Sequence, residues 1–153
     1  YGSFQLMRSV AIKEGLTVNR EVDERQNFDR SAWAAARFIK RVCLPETRQL
    51  LDAHGLRYRE ADLWFRLMVL HVYHAGAGNV RSALAAIQPE TGGMPLIRTL
   101  WTTEARGFRN ASQNYSQVAL ASLLELDRII AEESYLPPDQ WPDLKPLPPQ
   151  TID

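Results

Sequence analysis

The sequence predicts an all-α protein, and three observations support this. Apolar residues recur at helical spacing in one segment after another, most clearly between Val118 and Ile130. Glycine, proline and asparagine, which commonly start or end helices, fall between these segments. No stretch is rich in strand-forming residues. We therefore expect six to seven helices packed around a central buried helix.

The first predicted helix begins close to the start of the chain. Phe4, Met7 and Ala11 share helical spacing, and Gly15 is placed to end the helix. The following polar stretch, residues 16–28, carries too many charges for a core strand, so we expect it to be irregular.

Two further helices are predicted up to residue 55. Asp29 or Ser31 can cap a helix of strong helix formers that runs to Val42. Pro45 predicts a break and then the first turn of a short helix, which Gly55 closes.

The second half of the chain contains the predicted central helix, residues 58–74, which is apolar around most of its circumference. A tight turn follows, in which Asn79 can cap the next helix. A loop over residues 89–93 precedes a short helix, and an amphipathic helix begins at Tyr115. Residues 1–135 are therefore predicted to form one helical domain.

The end of the chain, residues 136–153, contains six of the nine prolines. This composition predicts a surface tail or a linker.

The composition excludes several functional classes. Eighteen basic residues balance eighteen acidic ones, so the charge does not favour nucleic acid or an anionic membrane as partner. No segment has the length and apolarity of a transmembrane span. Cys43 is the single cysteine and is expected to be a small buried apolar residue rather than a reactive thiol. His71 and His74 are three residues apart, but two ligands do not make a metal site, so we expect neither a metal nor a cofactor.

Four segments of the chain carry recognisable motifs: residues 2–7 (GSFQLM), residues 19–42, in which VDER leads into an alanine-rich helix, residues 72–76 (VYHAG), and residues 104–108 (EARGF). In this order they resemble the Gly-Leu-x-Gln-Leu-Met, Val-Asp-Glu-Arg, Ala-Tyr-Asn-Ala-Gly and Glu-Thr-Arg-Gly-Tyr motifs of lytic transglycosylase catalytic domains. These goose-type-lysozyme-like enzymes cut bacterial peptidoglycan. The resemblance covers roughly residues 1–130. It implies a lysozyme-like helical fold, peptidoglycan glycan strands as the partner, and a location in the periplasm or cell envelope.

The resemblance also implies a sugar cleft whose candidate residues are Gln5, Met7, Tyr73, His74, Ala75, Gly76 and Tyr115. Glutamine can donate and accept hydrogen bonds, as sugar hydroxyls and N-acetyl groups require, and a methionine can line an apolar sugar face. Tyr73 can send its hydroxyl into the cleft. An alternative is that Phe4 and Met7 are helix core and that Gln5 is a solvated or capping side chain.

Two positions depart from the family pattern. His74 stands where the family has asparagine, and histidine can titrate near neutral pH. Tyr115 is the favoured cleft tyrosine, with Phe108 as the competing alignment, which would lack the hydroxyl.

In the family a single glutamate first protonates the glycosidic oxygen and then removes the proton of the muramoyl 6-hydroxyl, giving a 1,6-anhydro product. The resemblance implies that this glutamate lies upstream of Tyr1. Glu14, Glu21, Glu24 and Glu104 are poor substitutes, because neighbouring arginines would lower rather than raise a carboxyl pKa in the charged loop. The sequence thus favours part of a lytic transglycosylase, with a non-catalytic glycan-binding or protein-interaction module as the alternative.

Overall fold

The computed structural model describes residues 2–133, and within them the fold is all-α, as predicted. Seven α-helices follow one another: α1 (Arg8–Lys13), α2 (Phe28–Phe38), α3 (Leu44–Ala53), α4 (Leu63–Ala75), α5 (Ala77–Ile87), α6 (Met94–Thr102) and α7 (Ala111–Glu133). A 3-10 turn (Glu24–Gln26) precedes α2, and a π turn (Ile39–Cys43) joins α2 to α3. In this part of the chain, β pairing is limited to isolated bridges. The predicted proline-rich tail and the domain boundary at residue 135 lie outside the described residues.

The chain divides into two compact units between Gln117 and Val118. The first unit contains α1 to α6 and the first turns of α7. In the second unit, the described residues 118–133 are the rest of α7, where Arg128 forms ion pairs with Glu125 and Glu132. Several large apolar side chains of this segment are exposed: Val118, Leu123, Leu124, Leu126 and Ile129. None of the described helices is both long enough and apolar enough to cross a bilayer.

Helix α4 is the centre of the first unit. It packs against α3, α5, α6 and the π turn. Its buried residues cover more than one face: Trp64, Phe65, Leu67, Met68, Val69, His71 and Val72. A helix surrounded on several sides needs an apolar surface around most of its circumference, which is the pattern that the sequence shows.

The predicted beginnings of α4 and α5 are wrong by a few residues. Helix α4 begins at Leu63 rather than at Tyr58, because Asp62 is extended (φ −70°, ψ 139°) and Tyr58 instead stacks on Phe65 at 5.0 Å. Helix α5 begins at Ala77, immediately after a glycine with φ 79°. Asn79 therefore lies inside its first turn and donates a hydrogen bond to the Ala75 carbonyl at 2.9 Å, instead of capping the helix.

Helix α1 ends as predicted but begins later than predicted. Gly15 has φ 87°, and the Leu16 amide donates to the Ala11 carbonyl, an arrangement typical of glycine-terminated helices. At the other end, Gln5 has φ 48°, and its amide bonds back to the Gly2 carbonyl. Residues 2–5 thus form a turn, which starts the helix at Arg8 instead of including Phe4 and Gln5 in it.

The turn at residues 2–5 is held against the charged loop that precedes α2. Gly2 has φ 72°, and a Cβ atom at this position would lie 1.8 Å from the Arg25 carbonyl oxygen. The Arg25 guanidinium donates to the Leu6 carbonyl at 3.3 Å and is held by both carboxylate oxygens of Asp23, at 2.8 and 2.6 Å. The Asp23–Arg25 pair of the second motif therefore fixes the segment that carries the first motif.

Helix α2 has a different cap and a different end from those predicted. Asn27 is the N-cap, since its side-chain oxygen accepts from the Arg30 amide at 3.0 Å; Asp29 and Ser31 already lie inside the helix. The expected break at Pro45 is also wrong. In the π turn the Leu44 amide bonds to the Ile39 carbonyl five residues back, and the helical chain continues through Pro45 into α3 without a break.

We expect Gly2→Ala to destabilise the protein more than Gly55→Ala does. Both glycines have positive φ, but a Cβ at Gly55 meets no atom within 4 Å, whereas one at Gly2 overlaps the Arg25 carbonyl. Gly55→Ala should lower the free energy of unfolding by about 1 kcal/mol and Gly2→Ala by about 2–4 kcal/mol. Urea denaturation of the two variants measures both values, and equal losses would contradict the close approach.

Candidate functional site

Three of the four motif segments meet at one cavity of about 340 Å³. The first segment contributes Ser3 and Phe4, and the third contributes Tyr73. Helix α2, which continues the second motif, supplies a floor of small side chains. Two aliphatic residues, Ile39 and Leu70, and the aromatic Tyr115 complete the lining. The full set is Ser3, Phe4, Ala32, Ala35, Ala36, Ile39, Leu70, Tyr73 and Tyr115.

Tyr73 links the first motif to the third. Its hydroxyl donates to the Phe4 carbonyl at 2.6 Å, and its ring packs on Phe38 with centroids 5.7 Å apart. Burial, followed by the proximity of Tyr115 and Cys43, raises the pKa of Tyr73 to about 12. The sequence predicted a hydroxyl that reaches into a cleft. The structure assigns its proton to Phe4, so towards a ligand this oxygen can only accept.

Gln5 and Met7 lie beside this cavity rather than in its lining. Both side chains are exposed, Met7 to 72%. Met7 lines a neighbouring cavity of about 330 Å³ with Leu6, Arg8 and Arg25. The same short segment therefore lines two cavities, with Gln5 between the residues that line them. Met7 is therefore not helix core, whereas the exposed Gln5 side chain fits the alternative of a solvated residue.

His74 stacks on Tyr115. The two rings are nearly parallel, 19° apart, with centroids separated by 4.3 Å. His74 Nδ1 is buried and has no hydrogen-bond partner in the described part of the chain. Burial lowers the pKa of His74 and raises that of Tyr115, so both rings are neutral at pH 7. Ala75 and Gly76 follow at the end of α4, where Gly76 lets the chain turn into α5.

His71 is part of a buried polar chain and not of a metal site. Nδ1 lies 3.1 Å from the Ser112 carbonyl oxygen, which can only accept, so Nδ1 carries the proton. The Ser116 hydroxyl then donates to Nε2 at 2.8 Å and accepts from the Trp101 indole N–H at 2.7 Å. Both ring nitrogens are occupied by protein groups. Among the described residues, no group of three or more potential ligands could hold a metal ion.

This polar chain also explains why α7 begins earlier than predicted. Ser112 and Ser116 are buried, and their oxygens are bonded to His71. Tyr115, which was expected to be the first residue of the helix, therefore lies inside it, where it lines the cavity. Phe108, the competing aromatic, is fully buried and packs on His71 with ring centroids 5.4 Å apart.

Two of the internal glutamates, Glu24 and Glu14, lie close to arginine side chains. The Thr17 amide and Arg30 lower the pKa of Glu24, the opposite of what a general acid needs. Glu14 is 4% exposed, and its Oε2 atom lies 3.8 and 3.9 Å from nitrogens of Arg37 and Arg41. Neither glutamate is among the residues that line the cavity.

Sequence reasoning missed much of the cavity. Ala32 and Ala36 of α2 and Ile39 at the start of the π turn share helical spacing, but this spacing does not indicate which helix faces them. Leu70 lies in the segment 58–74, which was predicted only as a buried helix. Phe4 was considered only as a helix residue.

Comparisons of the chain with protein-family models, with curated proteins and with solved structures give no match. The relation to lytic transglycosylases therefore remains a proposal that rests on the sequence motifs and on where their residues lie.

We expect Tyr73→Phe to lower the free energy of unfolding by about 1–2 kcal/mol, because it leaves the Phe4 carbonyl without its 2.6 Å hydrogen bond. Tyr115→Phe is the matched control, since it removes a hydroxyl from the same cavity and leaves the Tyr73–Phe4 bond intact. Chemical denaturation of both variants measures the difference. An equal effect of the two substitutions would contradict the role of this bond.

We also expect acid to destabilise the fold through His71. Burial, the largest cause, lowers the pKa of His71 from 6.5 to about 4. Between pH 6.5 and 4 the imidazole is therefore protonated in the unfolded chain but neutral in the folded one. The contribution is complete above pH 6.5 and is lost as the pH falls towards 4, for a total of about 3 kcal/mol. Denaturation between pH 7.5 and 4 measures it. An NMR titration of the His71 ring that shows protonation near pH 6.5 in the folded protein would contradict it.

Proposed function

We propose that this domain binds peptidoglycan glycan strands at the cavity between α2, α4 and the start of α7, as part of a lytic transglycosylase. One observation carries the proposal. Segments that are far apart in the sequence, and that resemble the family motifs independently, converge on one cavity and are joined by the Tyr73–Phe4 hydrogen bond.

The chemistry of the cavity suits a sugar ring. Phe4, Tyr73 and Tyr115 offer aromatic surface to the apolar face of a pyranose, and Ser3 contributes a hydroxyl. A volume of about 340 Å³ is at the lower end of the range for ligand pockets, which is about 300–1,000 Å³. One sugar at a time would occupy it.

The arrangement also suits a polymer. Ser3 and Phe4 line this cavity and Leu6 and Met7 line a second one, so a linear glycan could place successive sugars along the segment. Gln5 is exposed between them, where its amide can donate to and accept from hydroxyl or N-acetyl groups. This use of Gln5 and Met7 supports a strand rather than a single monosaccharide as the ligand.

Cleavage requires a carboxylic acid next to the glycosidic oxygen. We propose that a glutamate upstream of Tyr1 supplies it, protonating the leaving oxygen and then removing the proton of the muramoyl 6-hydroxyl as that oxygen attacks C1. The MurNAc-GlcNAc β-1,4 bond breaks, and a 1,6-anhydro end forms without water. Since peptidoglycan lies outside the cytoplasmic membrane, the proposed location is the periplasm or cell envelope.

The second candidate is a module that binds the glycan, or a partner protein, without cutting. The described lining of the cavity consists of apolar, aromatic and hydroxyl side chains, none of which is a carboxylic acid, and this favours a module that does not cut. The histidine at position 74, where the family has asparagine, favours it too. Both candidates share the binding step.

Binding and turnover are tested separately. The chain is incubated with purified sacculi and pelleted, and the double variant Gln5→Ala/Tyr115→Ala should lose at least about fivefold in affinity. Trp33→Ala is the control, because this aromatic on α2 is 63% exposed and does not line the cavity. Muropeptides released by the full-length gene product are then analysed by mass spectrometry.

Release of 1,6-anhydro muropeptides would support the lytic transglycosylase. Binding without release would favour the non-catalytic module, and hydrated ends would exclude the lytic mechanism. Absence of both binding and release would contradict glycan recognition altogether.

A further inference from the structure

Tyr115, which lines the cavity, is stacked on His74, and no hydrogen bond joins the two rings. His74 and Tyr115 lie face to face at 4.3 Å and 19°, although they are 41 residues apart. One face of Tyr115 is occupied by His74, and the same side chain lines the cavity. The orientation of Tyr115 at the cavity therefore depends on the ring behind it.

The backbones that carry the two rings are fixed by separate contacts. At the end of α4, the Gly76 amide bonds to the Val72 carbonyl at 2.9 Å, and Asn79 holds the Ala75 carbonyl. At the start of α7, the Ser112 carbonyl and the Ser116 hydroxyl are both held by His71. What remains to be ordered at Tyr115 is the side chain itself.

The contribution of His74 to this order comes from its ring face. Its Nδ1 atom is buried without a hydrogen-bond partner in the described residues, so polar bonding at this atom does not orient the imidazole. Stacked aromatic rings attract each other beyond their burial. An asparagine at this position would offer only a small amide plane, whereas another aromatic ring would keep the contact.

We propose that His74 is a positioning residue for Tyr115, whose stacked ring holds the tyrosine at the cavity wall and thereby strengthens sugar binding. The effect on binding rests on the proposed function; the ordering of Tyr115 does not. A side chain that is already ordered costs less to immobilise when a ligand binds, which corresponds to about a two- to tenfold difference in affinity.

The test uses His74→Asn, His74→Phe and Tyr115→Leu, together with the double variant His74→Asn/Tyr115→Leu. The ligand is a purified tetrasaccharide of alternating GlcNAc and MurNAc, and calorimetry gives its affinity. His74→Asn should bind about two- to tenfold more weakly, and His74→Phe should recover the affinity to within about twofold. In the Tyr115→Leu background, His74→Asn should have no further effect.

A second measurement separates this inference from the proposed function. NMR relaxation of the Tyr115 ring reports the order of this side chain without any sugar. The ring should stay ordered in His74→Phe and become more mobile in His74→Asn, while circular dichroism and thermal unfolding verify that each variant is folded.

Two results would overturn the positioning role. One is that His74→Phe loses as much affinity as His74→Asn, and the other is that the Tyr115 ring stays equally ordered in His74→Asn. If the wild-type chain does not bind the tetrasaccharide but the order of the Tyr115 ring changes among the variants as expected, the positioning of Tyr115 stands and the glycan function fails.

Discussion

The burial of α4 on several sides is the constraint on which the first unit depends. A helix with seven buried residues out of thirteen must be surrounded, and α3, α5, α6 and the π turn supply the neighbours. Each buried large aliphatic or aromatic side chain contributes on the order of 1.5–3 kcal/mol. Because the motif that contains Tyr73 lies at the C-terminal end of this helix, the helix with the most buried residues in the unit also positions the cavity.

Buried polar groups determine how the other elements meet this helix. The chain from Trp101 through Ser116 to His71 gives a hydrogen bond to both His71 ring nitrogens and to the Trp101 indole nitrogen, and an unsatisfied buried polar atom would cost about 1–3 kcal/mol. This favours one register for the start of α7, and with it one location for Tyr115. Arg25 acts similarly at the other side of the site, where it connects Asp23 to the Leu6 carbonyl.

The sequence was sufficient where a feature depends on local chemistry. Gly15 and Gly55 end helices because φ is positive at both, and the apolar circumference of α4 predicts its burial. Features that depend on contacts between distant residues could not be read in this way. The engagement of the Tyr73 hydroxyl by Phe4 spans 69 residues, and the early start of α7 requires knowing that His71 is its partner. The charge of a loop did not reveal which arginine pairs with Glu24; it is Arg30.

The π turn at Ile39–Cys43 joins α2 and α3 into one continuous helix and rotates the inward-facing side of α3 about the helix axis relative to that of α2. An α-helix advances about 100° per residue, so a turn that holds one extra residue rotates everything after it by about that angle. The alanines of α2 can thereby line the cavity while Leu50 and Leu51 of α3 are buried in the core. Shortening this turn by one residue would keep the segment helical but rotate the buried side chains of α3 away from the interior. The extra residue of the π turn therefore allows α2 to line the cavity while α3 packs in the core.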